Sequence, residues 1–239
     1  MKYEAVIFDL FHTLVSVTAS GDPGPQPYEV VGVPEDEWFA AWRRHEERRL
    51  KGQCESVVEI VSGVIRDLGL EPLPELCERV CATRRHRFRH AMVNVIAEVL
   101  DGLQRLRPRV AKLGLMSDTD FDEIASWQES PLAPLFDAAL SSCYEGVAKP
   151  EPAFYRLAAQ RLGVDPAQCI YAGDGARDEH VGARAMGMSP VLVTWCLERK
   201  APERVPALAQ GCDAVVRYPG DVIELLMEQA RQRQHGTYR

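Results

Sequence analysis

The chain has 239 residues, 46% hydrophobic and 26% charged, with a formal net charge of −7 and a pI near 5.5. This is the ordinary balance of a globular protein, and its acidic excess offers no basic face to a nucleic-acid backbone. No uninterrupted apolar run is long enough to span a bilayer, and Glu4 before a short apolar run does not make a secretory leader, so a cytoplasmic protein without a membrane partner is expected.

In chain order, Tyr3 to Phe8 reads as a short buried strand ending at Asp9. The Pro/Gly-dense stretch from Gly21 to Pro27 is a linker or loop. Helical periodicity then runs from about residue 34 to 107. Pro34 and the acids at 35 to 37 open a helix whose apolar face is Trp38, Phe39 and Trp42. A second helix spans Glu55 to Leu68 and stops at Gly69; a third begins near Pro74 and carries Leu76, Val80 and Phe88. A fourth holds Val95, Val99, Leu103 and Leu106 and ends near Pro108.

After residue 110, short apolar runs alternate with helices: Lys112 to Met116, Ala138 to Ser141, Cys169 to Ala172, Val191 to Trp195 and Ala214 to Val216. Such alternation indicates parallel strands in a doubly wound α/β sheet. The expected architecture is a Rossmann-like core of residues 1–15 and 93–239, interrupted by a helical cap of residues 16–92. The polar segment from Gln229 to Arg239 is expected to fray.

Seven cysteines, an odd number, are scattered at 54, 77, 81, 143, 169, 196 and 212, and free thiols are expected. Cys77, Cys81, His86 and His90 form two i, i+4 pairs, but structural zinc usually draws on a knuckle as well as a helix; helix surface and core is the expected role. Arg43, Arg44, Arg48, Arg49 and Lys51, and the second group Arg84, Arg85, Arg87 and Arg89, are expected mainly as solvated helix faces paired with Glu46, Glu47 and Glu78. Any that faced the core would attract an anionic substrate.

Ligands of a parallel sheet sit beyond the C-terminal ends of its strands. The first strand is followed by Asp9-Leu10-Phe11-His12-Thr13, the second by Ser117-Asp118-Thr119, the third by Lys149-Pro150-Glu151, and the fourth by Gly173-Asp174 with Asp178 and Glu179. Any one such Asp could be only a helix N-cap. Together they set two carboxylate clusters, a hydroxyl and a lysine on one rim. A carboxylate can attack phosphorus or carbon and form a covalent intermediate, while a metal ion, lysine and hydroxyl neutralise an anionic phosphoryl group.

These residues resemble the haloacid dehalogenase-like hydrolases with a helical cap inserted after the first strand. By that resemblance Asp9 matches the nucleophile, Thr13 the threonine that steadies its loop, Ser117 the phosphate-binding hydroxyl, Lys149 the motif lysine and Asp174 a metal-binding acid. Asp118 stands where Asn is frequent, and Gly182 to Met188 matches the following helix and turn. Asp178 and Glu179 are both candidates for the second acidic slot. The resemblance implies Mg2+ held by Asp9, the Phe11 carbonyl, Asp174 and one of those two acids, and a small anionic, phosphorylated substrate.

One departure bears on the chemistry. Family phosphatases carry a second Asp two residues after the nucleophile as general acid and base; here the position is Phe11, which moves no proton. The 2-haloacid dehalogenases and the phosphonate-cleaving enzymes also lack that Asp. His12, where Gly is common, could titrate near neutrality, but neighbours on an extended segment face opposite ways, so its ring is expected to point away from the site. Three readings follow: magnesium-dependent phosphoryl hydrolysis, favoured by Asp174; metal-free carbon–halogen hydrolysis; and a binding protein that keeps the fold.

Overall fold

A computed structural model of the chain describes residues 3–19 and 21–227; the segment from Gln229 to Arg239 lies outside them. Six parallel strands form one sheet in the order β3-β2-β1-β4-β5-β6: β1 Ala5–Phe8, β2 Lys112–Ser117, β3 Ala138–Ser141, β4 Cys169–Gly173, β5 Ser189–Val193 and β6 Ala214–Val216. The central strand β1 pairs Ala5 with Lys112 on one side and with Cys169 on the other.

Both faces of β1 are covered, which is why it reads as an unbroken apolar run. Its alternate side chains serve two separate layers. Val6 and Phe8 join one core with Leu113, Leu115, Ile170 and Ala172. Ala5 and Ile7 join the other with Phe154, Tyr155, Ala158 and Leu162 of the helix Pro152–Leu162. The period of two in the strands thus divides the sheet between its two helical layers.

Between β1 and β2 lie the helices Glu35–Arg44, Glu46–Leu50, Val57–Asp67 and Pro74–Val93. They have an apolar core of their own around Trp38, Trp42, Ile60, Val64, Cys77 and Val80. This is the helical cap of a Rossmann-like α/β fold. The longest helix crosses between the two parts: Cys77 and Val80 bury in the cap, Ala91 and Met92 against the sheet. Among the described residues no helix is long and apolar enough to cross a membrane. All seven cysteines are free, and Cys77 and Cys81 are buried in the cap core.

Three expectations are corrected. Phe39 is not part of the buried face of its helix; it is 39% exposed while Trp38 and Trp42 are buried. The second helix begins at Val57 rather than Glu55, because Glu55 lies before Ser56, whose extended backbone (φ −158°, ψ 162°) sets the N-cap. The fifth strand begins at Ser189, two residues before the expected start, and takes in Pro190. Pairing with β6 starts only at Val191, so the missing N–H of Pro190 falls at the strand's end, where a proline is tolerated.

Candidate active site

Asp9 leaves the end of β1 with a side chain that is almost wholly enclosed. Its Oδ1 accepts from Lys149 Nζ at 2.5 Å and its Oδ2 from Thr13 Oγ1 at 2.9 Å. Thr13 is held from behind, since its carbonyl accepts the Trp195 indole N–H at 2.7 Å. Lys149 Nζ also donates to Glu179 Oε2 at 2.8 Å and Tyr171 OH at 3.2 Å. Glu179 accepts at both oxygens, Oε2 from Tyr171 OH at 2.6 Å and Oε1 from Gly175 N–H at 2.8 Å. This approach requires Gly173, because a Cβ there would lie 2.2 Å from Glu179 Oε1.

Asp9, Asp174 and Glu179 each offer a carboxylate oxygen, and these oxygens lie within 4.8 Å of one another. Asp178 is not brought into this group. It is exposed and in the left-handed region at φ 53°, in a turn that buries the next residue, Glu179, instead. Of the two candidate acids, the geometry therefore gathers Glu179. The ring of Phe11 meets Phe88 of the cap edge-on at 5.3 Å.

The expectation for His12 is overturned. Its ring lines the cleft, with Nδ1 3.7 Å from Asp174 Oδ2 and Nε2 3.1 Å from Lys200 Nζ. The alternation of an extended segment does not apply, because His12 is left-handed at φ 64°. Burial and then the Lys200 charge push its pKa down to about 4.

The carboxylates are electrostatically unequal. Burial raises Asp9 to about 7; Lys149 opposes the rise, and Glu179 and Asp174 add to it. Asp174 is raised to about 6 by burial and by Glu179. Burial also acts against the charge of Glu179, but Lys149 and His180 hold it below the usual carboxylate range. Burial lowers Lys149, and Asp9 and Glu179 more than reverse this, so its ammonium is held well above the ordinary value. The set is thus three acids around one ammonium, a surplus of buried negative charge that suits a divalent cation.

The cleft above these groups measures about 290 Å³. Phe11, Val17, Leu50 and Phe88 give it an apolar side; Ser117, Asp118, Lys149, Asp174 and Arg177 give it a polar one. Ser117 Oγ is buried with no hydrogen-bond partner among the described residues. An orphaned buried hydroxyl is costly, and here it borders the cleft.

Most of the cap's named basic residues lie on solvated faces as expected, with Arg43, Arg44, Arg48, Arg85 and Arg89 exposed, but three do not. Arg49, Arg84 and Arg87 are buried. Arg84 donates to Asp120 Oδ2 at 2.6 Å and Glu123 Oε1 at 3.3 Å, Arg49 to Glu123 Oε1 at 3.2 Å. Arg85 pairs with Asp122 and Arg89 with Glu129. Arg177 reaches from the core to Glu46 of the cap. Arg49, Arg84, Arg85, Arg89 and Arg177 thus pair across the seam between cap and core. Tyr171, Asp120 and Glu123 were also missed. The Asp120-x-x-Glu123 spacing signals a capping box, and Asp120 does cap the helix Phe121–Ile124, but that spacing says nothing of arginines from the cap.

The motif residues of four strand ends converge on one cleft, and comparison with known proteins agrees with what they suggest. A glyceraldehyde 3-phosphate phosphatase of Methanopyrus kandleri is 29% identical over 133 residues, 54% of this chain and 56% of that protein. The chain spans about half the length of the curated relatives it matches. Among solved structures, L-2-haloacid dehalogenase from Xanthobacter autotrophicus with chloropropionic acid covalently bound has a TM-score of 0.62 at 20% identity, covering 94% of this chain and 98% of that one. The HAD-hydrolase YfnB from Bacillus subtilis bound to magnesium has a TM-score of 0.68 at 16% identity, covering 95% and 99%. At those identities the two structures speak for the fold. The family model for haloacid dehalogenase-like hydrolase matches residues 3–186, most of the chain, and the protein belongs to that family of hydrolases.

Proposed function

We propose that the protein hydrolyses a small phosphorylated substrate with magnesium, through an aspartyl-phosphate on Asp9. The observation that carries this reading is the charge surplus of Asp9, Asp174 and Glu179 around Lys149. Residues 16–92 act as the cap over a core of residues 1–15 and 93–239. Phosphatase-named relatives such as that of Methanopyrus kandleri support the substrate class.

Asp9, the Phe11 carbonyl and Asp174 would hold the ion, with Glu179 in support through Lys149, since both Glu179 oxygens are already engaged. When bound, magnesium supplies neutralisation of an anionic phosphoryl group. Thr13 and Lys149 fix the Asp9 carboxylate for attack, and Lys149 also balances charge on the phosphoryl oxygens. The unpartnered Ser117 Oγ donates to one of those oxygens. Water then cleaves the aspartyl-phosphate and returns Asp9.

A second reading, metal-free hydrolysis of a 2-haloacid, draws on one observation, the apolar wall that Phe11 builds with Phe88. A panel of p-nitrophenyl phosphate, alkyl phosphates, phosphonates and 2-haloacids, assayed with and without magnesium, separates the two. Phosphate release that requires magnesium and disappears in Asp9→Asn is the expected result. Metal-free halide release would establish the second reading, and silence across the panel would favour a binding role.

A further inference from the structure

With Phe11 in place of an acid, hydrolysis at this site lacks its proton carrier. We propose that Asp118 is that carrier: its Oδ2 protonates the departing oxygen and then takes the proton of the attacking water. The assignment rests on the phosphoryl-transfer reading above.

Asp118 follows Ser117 at the end of β2 and lines the same cleft as Asp9 and Lys149. Its two oxygens are unequal. Oδ1 accepts the backbone N–H of Lys149 at 2.9 Å, which fixes the carboxyl group. Oδ2 is buried and has no hydrogen-bond partner among the described residues. Arg177 Nε lies 3.8 Å from it, but that guanidinium is engaged by Glu46 of the cap. A carboxyl anchored at one oxygen and unpaired at the other suits a group that must hold and release a proton.

The other titratable groups of the cleft are committed elsewhere. Glu179 is satisfied at both oxygens. Asp174 accepts from Ala176 N–H at Oδ1 and faces His12 at Oδ2. Glu123 is tied to Arg49 and Arg84. His12 is held between Asp174 and Lys200, at 3.7 Å and 3.1 Å. Burial moves Asp118 toward its protonated form; Lys149 and Arg177 oppose this and Glu179 adds to it.

The steps balance. As the Asp9 carboxylate oxygen bonds to phosphorus, the bond from phosphorus to the leaving oxygen breaks, and that oxygen takes the Asp118 proton. In the second half, water oxygen bonds to phosphorus, the bond to Asp9 breaks, and the water proton returns to Asp118. No oxidant or further reactant is needed.

Wild type, Asp118→Asn and Asp118→Ala are compared on p-nitrophenyl, phenyl and ethyl phosphate with magnesium. Asn keeps the acceptor for Lys149 N–H. Asp118→Asn is expected to slow ethyl phosphate by about 10²- to 10⁴-fold and to slow Asp9 phosphorylation by p-nitrophenyl phosphate far less. Rapid acid quench should show aspartyl-phosphate accumulating, because the attacking water has lost its base. Formate should restore ethyl phosphate turnover to Asp118→Ala, which a merely structural role would not allow. Equal losses on all three esters, with no accumulation and no rescue, overturn the assignment while leaving the phosphoryl reading standing. A steeper leaving-group dependence in His12→Asn and not in Asp118→Asn also overturns it. Wild-type silence on every ester overturns both together.

Discussion

The protein buries two charged clusters, and they are built on opposite principles. At the seam, Arg49 and Arg84 from the cap meet Asp120 and Glu123 from the core, two cations for two anions. At the rim, Asp9, Asp174 and Glu179 lie together, and Lys149 pairs with Asp9 and Glu179. The seam is balanced in charge, with Arg84 also stacked 4.0 Å from the Trp42 ring centroid, and its Arg49 and Glu123 border the cleft. The rim keeps a surplus of acids over cations. Similar burial with unequal balance separates a cluster that joins cap and core from the one on which the proposed function rests.

The sharpest way to break this comparison is to remove one charge from each cluster. Arg84→Ala leaves Asp120 and Glu123 buried with one cation fewer, and should cost about 3–5 kcal/mol of stability, read by chemical denaturation. Asp174→Asn removes one of three mutually repelling acids and should leave the metal-free protein as stable or more stable. A loss at Asp174 as large as that at Arg84 would show that the rim is balanced after all.

The pH response tests the imbalance directly. Asp9 and Asp174 have an ordinary value of 3.8 and are raised to about 7 and about 6 in the fold. Raised carboxyls favour folding while protonated, so their contribution is full below about 4 and is lost as pH climbs through about 6 to 7. The melting temperature of the metal-free protein should fall across that window, and magnesium should restore it most strongly above about 7, where both acids are charged. A profile that is flat, or identical with and without magnesium, would remove the rim's surplus as a feature of the folded protein.

The smallest effect belongs to the seam's exposed margin. Arg89 pairs with Glu129 at 2.7 Å, but both side chains are about half exposed. Arg89→Ala should change stability by at most about 1 kcal/mol, in denaturation curves run beside Arg84→Ala.

What the sequence revealed of this arrangement follows from distance along the chain. Each of Asp9, Thr13, Ser117, Lys149 and Asp174 lies at or beyond the C-terminal end of a strand, and parallel pairing brings such positions together; local pattern was enough. The strand runs and the helical insertion were visible because their periodicities are local. Tyr171 was hidden inside an apolar strand, where its hydroxyl to Glu179 looks like any aromatic side chain. Asp120 and Arg84 lie 36 residues apart and meet only through the docking of cap on core, which no periodicity encodes. His12 was misread because one positive φ cancels the alternation rule.

The central place of β1 also sets an order of events during synthesis. Of the six strands, the one that leads to Asp9 is made first, yet Ala5 pairs with Lys112 and Cys169, 107 and 164 residues later. The cap, with its own apolar cluster, can form while β1 still lacks a neighbour. The helices over the cleft can therefore be in place before the sheet beneath them, which is complete around β1 only once β4, ending at Gly173, has emerged.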